Sequence, residues 1–79
     1  MFHVYILRSE KDEKRYVGFT TNLERRLSEH QTGCVTSTKN YRPLQLIHSE
    51  EFFNKLETEQ REKFFKSGKG RTQLKEMGL

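Results

Sequence analysis

The sequence predicts an α+β domain in which a three-stranded antiparallel sheet is flanked by helices, in the order ββαβαα. Three observations carry that prediction. His3-Val4-Tyr5-Ile6-Leu7 and Tyr16-Val17-Gly18 are short β-type runs, separated by a charged stretch from Ser9 to Arg15 that suits the loop of a hairpin. A third strand-like run begins at Leu44-Gln45-Leu46-Ile47-His48 and continues to Phe52. Between and after these runs, apolar residues recur at helical spacing behind capping residues.

The first strand is expected from Phe2 to about Arg8, with Phe2, Val4 and Ile6 on one face and His3, Tyr5 and Leu7 on the other. The second runs from about Lys14 to Phe19; Val17 and Phe19 share one face, Tyr16 and Gly18 the other. In such a hairpin Tyr5 and Tyr16 can share a face, although alternation alone leaves the register open. Thr21 followed by Glu24 fits a capping box for a first helix to about Thr32, with Gly33 at the position after its end. Leu23, Leu27 and His30 form one stripe of that helix, Arg26 flanks it, and Arg25 points to solvent. Cys34 to Tyr41 reads as a polar loop ended by Arg42-Pro43. Asn54 with Glu57 three residues on caps a second helix to about Lys66. Ser67-Gly68-Lys69-Gly70 reads as a break before a short helix from Arg71 to Met77.

With 79 residues, 32% hydrophobic and 33% charged, residues 1–79 are expected to form one small domain with a thin core. Six Phe and three Tyr carry much of the burial, at roughly 150–250 Å² per ring. The single cysteine, Cys34, excludes an intramolecular disulfide and a cysteine-based zinc site. No apolar run is long enough to span a bilayer and the first residues read as a strand, so a cytoplasmic location is expected. The net charge is +4, and Lys63, Lys66, Lys69, Arg71 and Lys75 fall in a stretch without an acidic residue. Such a run is either a solvated helix face or a surface for a polyanion.

Tyr5 and Tyr16 are each explained by strand packing when taken alone. A glycine two residues after Tyr16, within the strand, signals close backbone approach and makes the pair a site edge. A phenol there can orient or deprotonate water if a cation is near. Arg26 either covers Leu23 and Leu27 with its stem or presents a fixed guanidinium to a phosphate. His30, one turn on, either packs at the core edge or accepts a proton from a phenol or water. Glu62 either pairs with Lys66 along the helix or serves as the single carboxylate ligand of Mg²⁺ or Mn²⁺.

Taken together, Tyr5, Tyr16-Val17-Gly18, Arg26, His30 and Glu62 within Arg61-Glu62-Lys63-Phe64-Phe65-Lys66 resemble the GIY-YIG nuclease superfamily over essentially the whole chain. Thr21-Asn22-Leu23-Glu24-Arg25-Arg26-Leu27-Ser28-Glu29-His30 and Arg42-Pro43-Leu44-Gln45-Leu46-Ile47 are similar to its small stand-alone bacterial members, which resemble the GIY-YIG catalytic domain of the excision-repair nuclease. The first triplet is His-Val-Tyr rather than Gly-Ile-Tyr, and only its tyrosine is expected to do chemistry. The resemblance implies a metal-dependent endonuclease acting on DNA, including branched or damaged DNA, with a single Mg²⁺ or Mn²⁺. Tyr5 and Tyr16 would position or activate water, Arg26 would hold the phosphate, His30 would complete the site and Glu62 would bind the metal. Phe19 stands where some relatives carry a basic residue, which leaves charge neutralisation to Arg26 and Lys39. Lys39, Lys63, Lys66, Lys69 and Arg71 are the expected nucleic-acid contacts. The alternative is a noncatalytic nucleic-acid-binding module of the same fold.

Overall fold

The computed structural model describes residues 1–79. The chain forms β1 (Phe2–Ser9), β2 (Arg15–Thr20), α1 (Leu23–Gln31), a 3₁₀ turn (Lys39–Tyr41), β3 (Leu44–Phe52), α2 (Lys55–Lys66) and α3 (Gly68–Glu76). The strands make one antiparallel sheet in the order β2-β1-β3, so the first strand of the sequence is the central one. Tyr5 pairs with Gly18 and Leu7 with Tyr16 across the hairpin. This register, which alternation alone left open, makes Tyr5 and Tyr16 diagonal neighbours on one face. Against β3, the register steps between Ile6, opposite His48, and Leu7, opposite Leu46. Ile47 is the extra residue of this bulge.

Both faces of β1 are covered. Val4 and Ile6 pack with Phe65 of α2 and Leu74 of α3, joined by Val17 and Phe19. Tyr5 and Leu7 pack on the other face with Leu44, Tyr16 and the α1 residues Leu23 and Leu27. Phe65 is the largest fully buried side chain. Burial of such a residue stabilises the fold by about 1.5–3 kcal/mol.

Two helix starts differ from those expected. Asn22, not Thr21, caps α1, its side chain accepting from the Arg25 N–H at 3.0 Å. The Thr20 hydroxyl accepts from the Asn22 N–H at 3.1 Å, and this small turn carries the cap one residue on. Gly33 follows the helix end at φ +84°, as predicted. The start of α3 is at Gly68 rather than Arg71. Ser67 both ends α2 and caps α3, accepting from the Gly70 N–H at 3.2 Å. The expected break falls at Ser67, and Gly70 serves close contact inside α3: a Cβ there would lie 1.9 Å from the Phe64 carbonyl oxygen. Asn54 caps α2 as expected, accepting from the Glu57 N–H at 2.7 Å.

Glu50, at sequence level part of an acidic pair, ties α2 to the sheet. Arg61 Nε and Nη2 donate to its two oxygens at 2.7 and 3.1 Å, and His48 Nε2 lies 2.8 Å from one of them. Burial opposes the charged form of Glu50, but the Arg61 and His48 hydrogen bonds outweigh it and hold the carboxyl below its usual range. The Arg61 guanidinium also lies 4.4 and 4.9 Å from the ring centroids of Phe65 and Phe64. This double anchoring sets the rotation of α2, and hence the direction of Glu62, the next residue.

Candidate active site

Tyr5, Tyr16, Arg26, His30 and Glu62 line one concavity of about 740 Å³. Consecutive residues of a strand point to opposite faces, yet Arg15, Tyr16, Val17, Gly18 and Phe19 all line it. The concavity therefore wraps around the sheet edge at β2. Five cations border it, Lys14, Arg15, Arg26, Lys66 and Arg71, against the carboxylates Glu13 and Glu62. That excess of positive charge suits a phosphate-bearing ligand.

At its floor the Tyr5 hydroxyl meets two α1 side chains. Arg26 Nε donates to it at 3.3 Å, and His30 Nε2 lies 3.0 Å away. The other His30 nitrogen, Nδ1, is 2.8 Å from the hydroxyl of Thr38. The α1 stripe that buries Leu23 and Leu27 brings Arg26 and His30 to the sheet, as their spacing predicts. Burial pushes the His30 pKa down, the Arg26 cation pushes it further, and Glu29 only partly opposes them. The imidazole is held in its neutral form, which leaves one ring nitrogen as a hydrogen-bond acceptor. Arg26 is held still more firmly charged, chiefly by its bond to Tyr5. It also donates to Glu29 at 3.4 Å.

Gly18 explains how the Tyr5 ring reaches this position. A Cβ there would stand 2.6 Å from the Tyr5 hydroxyl oxygen and 2.7 Å from Cζ. The phenol lies across the glycine of the paired strand, where no other residue leaves room. Tyr16 differs from Tyr5 in its surroundings. Burial, the Asp12 carboxylate and the neighbouring Tyr41 phenol all push its pKa up. Tyr16 is therefore suited to donate a hydrogen bond rather than to act as a base.

Glu62 faces the concavity from α2 with its side chain only 18% exposed, and Lys66 Nζ lies 3.4 Å from it. No group of three or more His, Cys, Asp or Glu side chains gathers to hold a metal ion. The single hard oxygen donor that Glu62 turns toward the concavity still fits Mg²⁺ or Mn²⁺. Such ions bind through one or two carboxylates and complete their shell with water and substrate phosphate.

Comparison with known proteins gives this arrangement a context. A family model described as the GIY-YIG catalytic domain matches residues 1–75. The chain belongs to the GIY-YIG family. It is 43% identical over 67 residues to a UPF0213 protein of Clostridium perfringens, covering 84% of this chain and 71% of that one. A UPF0213 protein of Staphylococcus haemolyticus is 38% identical over 74 residues, 92% of this chain and 89% of the other. The solution NMR structure of a UPF0213 protein from Bacillus halodurans superposes with a TM-score of 0.60 at 31% identity, covering 98% of this chain and 85% of that one. The three-stranded antiparallel sheet and helices match that neighbour. The GIY-YIG domain is generally a nuclease fold that uses divalent metal ions, which supports a nuclease-type function engaging nucleic acid.

The residues singled out by the resemblance, Tyr5, Tyr16, Arg26, His30 and Glu62, line one concavity, but the basic residues expected at the nucleic-acid surface divide. Lys66 and Arg71 border the concavity. Lys69 lines a separate shallow depression with Phe64, Thr72 and Glu76. Lys39 and Lys63 are exposed outside both. Lys14 and Arg15 take their place at the rim, and their position just before Tyr16 was a readable signal. Thr38 was not readable, because it lies in an irregular loop without periodicity. No helix is long and apolar enough to cross a membrane.

Proposed function

We propose that residues 1–79 act as a single-domain, metal-dependent endonuclease that hydrolyses phosphodiester bonds of DNA. The observation that carries this reading is the Tyr5 hydroxyl, bonded at once to a guanidinium and to a neutral imidazole inside a cationic concavity. Tyr5 orients the attacking water and relays its proton toward His30 Nε2. Arg26 holds the phosphate and offsets charge on its non-bridging oxygens. Tyr16, kept protonated, donates a positioning hydrogen bond. Glu62 would hold Mg²⁺ or Mn²⁺, which would supply positive charge to offset that of the phosphate. The exposed free Cys34 suits a reducing cytoplasm.

One observation favours a second reading. The Glu62–Lys66 contact at 3.4 Å is an ordinary i,i+4 ion pair, as a noncatalytic DNA-binding module of this fold would carry. Metal dependence separates the two. Duplex, branched and single-stranded DNA should be nicked in Mg²⁺ or Mn²⁺ and left whole in EDTA. A protein that retains every substrate equally with and without metal, and cuts none, is the binding module.

The rim cations make a prediction about salt. Binding should weaken with a log–log slope of about −0.7 to −0.9 per phosphate contacted. Lys66→Ala with Arg71→Ala should reduce the slope by up to two contacts, whereas Lys63→Ala with Lys69→Ala should change it less, since neither borders the concavity. The reverse ranking would move the DNA path onto the outer face of α2 and α3.

A further inference from the structure

We propose that Thr38 is a positioning residue that holds His30 in its Nδ1–H tautomer, so that Arg26, Tyr5, His30, Thr38 and the Val35 carbonyl form a one-way chain of hydrogen bonds. This rests on the reading of Tyr5 and His30 as the water-activating pair. Four contacts define the chain. Arg26 Nε to the Tyr5 hydroxyl is 3.3 Å, and that hydroxyl to His30 Nε2 is 3.0 Å. His30 Nδ1 to Thr38 Oγ1 is 2.8 Å, and Thr38 Oγ1 to the Val35 carbonyl is 3.5 Å.

The chemistry of the two ends fixes the direction. A guanidinium only donates and a carbonyl only accepts. Each of the three groups between them has one proton to give. Run from Arg26 toward Val35, every proton meets an acceptor: Arg26 donates to Tyr5, Tyr5 to Nε2, Nδ1–H to Thr38, and Thr38 to Val35. The opposite tautomer breaks the count. An Nε2–H would aim at a phenol oxygen that already receives Arg26 Nε–H. The phenolic proton would lose its protein acceptor, and Thr38 would turn away from Val35. Thr38 is 1% exposed and His30 4%, so solvent cannot readily replace what is lost.

The local backbone leaves the Thr38 hydroxyl two partners, His30 Nδ1 at 2.8 Å and the Val35 carbonyl at 3.5 Å. Thr38 stands at the cap position of the 3₁₀ turn, where a threonine side chain ordinarily bonds the turn's own amides, yet it makes no such bond. The Thr38 and Lys39 amides instead bond the Val35 carbonyl at 3.1 and 3.0 Å and hold the loop. The hydroxyl is left to face α1. A hydroxyl also orients the ring without carrying charge. A carboxylate in its place would favour imidazolium and fill the proton-accepting site at Nε2.

The test reads the tautomer directly, by ¹⁵N NMR of histidine-labelled full-length protein at a pH where His30 is neutral, without substrate. Expected are a pyrrole-type Nδ1 and a pyridine-type Nε2 in the wild type and in Thr38→Ser. Thr38→Val removes the acceptor and keeps the shape. It should lose that tautomer preference and cut DNA about 10–100-fold more slowly in Mg²⁺, with KM unchanged, by analogy with the loss of a partner that orients a metal-ligating histidine. A wild type in the Nε2–H form overturns the proposal. So does a folded Thr38→Val that keeps the Nδ1–H form or the wild-type rate. If Thr38→Val does not fold, the wild-type and Thr38→Ser spectra decide alone. A wild type that shows the Nδ1–H form but cleaves no DNA supports the hydrogen-bond chain and removes the nuclease reading instead.

Discussion

Glu62→Gln should abolish metal-dependent cleavage while leaving DNA binding intact or tighter, and Arg26→Ala should abolish cleavage while weakening binding. The two charges sit on one concavity but act oppositely on a polyanion. Glutamine keeps the shape of Glu62 and removes a repulsive charge from a cationic rim. It also releases Lys66 from its 3.4 Å pairing, adding a free cation toward the DNA. Losing a preorganised charge at the transition state costs about 2.7–4 kcal/mol, or roughly 10²–10³ in rate. The Glu62–Lys66 pair, with the lysine side chain 55% exposed, contributes at most about 0–1 kcal/mol to stability. Rate and melting temperature therefore separate the two roles. Wild-type cleavage by Glu62→Gln in saturating Mg²⁺ and Mn²⁺ would reduce Glu62 to a helix ion-pair partner. Arg26→Ala removes in addition the donor to the Tyr5 hydroxyl, so its loss of rate should exceed what weaker phosphate binding explains.

The largest stability effect is expected at Gly70. A methyl group there would enter the α2 backbone, 1.9 Å from the Phe64 carbonyl oxygen and 2.6 Å from Phe65 Cα. None of these atoms belongs to a flexible side chain, so α3 must move off α2. Overpacking of this kind costs about 1–3 kcal/mol. For a domain of this size that is a fall in Tm of roughly 4–24 °C. Gly68→Ala, two residues earlier in the same helix, is the control. A Cβ at Gly68 meets nothing within 4 Å, so alanine there should be neutral or stabilising by up to about 1 kcal/mol. Equal melting temperatures for the two variants, measured by circular dichroism, would show that α3 is not held by this contact.

The strands were readable because their alternation is unambiguous. Val4 and Ile6 face one core, Tyr5 and Leu7 the other, and the ends of β3 fall where the pattern placed them. Helix starts were less readable where two capping residues compete. Thr21 and Asn22 both qualify, and only the Thr20 turn decides between them. The break at Ser67 was readable, but the start of α3 before Gly70 was not. Glycine as a breaker and glycine as a contact point look the same in a sequence, and only the neighbour across the gap tells them apart. The convergence of Tyr5, Tyr16, Arg26, His30 and Glu62 followed from periodicity together with resemblance. The scatter of Lys39, Lys63 and Lys69 did not follow, because a run of basic residues on a helix points around its whole circumference. The Glu50–Arg61 anchor escaped notice because an ion pair between elements leaves no local pattern.

The strand order β2-β1-β3 has a consequence for how such a protein comes into being. A chain leaving the ribosome at about 5–20 residues per second exposes the hairpin first. That hairpin already holds both tyrosines, but β1 is central, and its second edge and second face are covered only by β3, α2 and α3. Tyr5 sits within that incomplete centre, and Glu62 arrives on the element that closes it. No emerging fragment short of α2 holds phenol, guanidinium and carboxylate together. A chain interrupted before α2 therefore carries Tyr5 and Arg26 but lacks both Glu62 and the Phe65 side chain that closes the second face of β1.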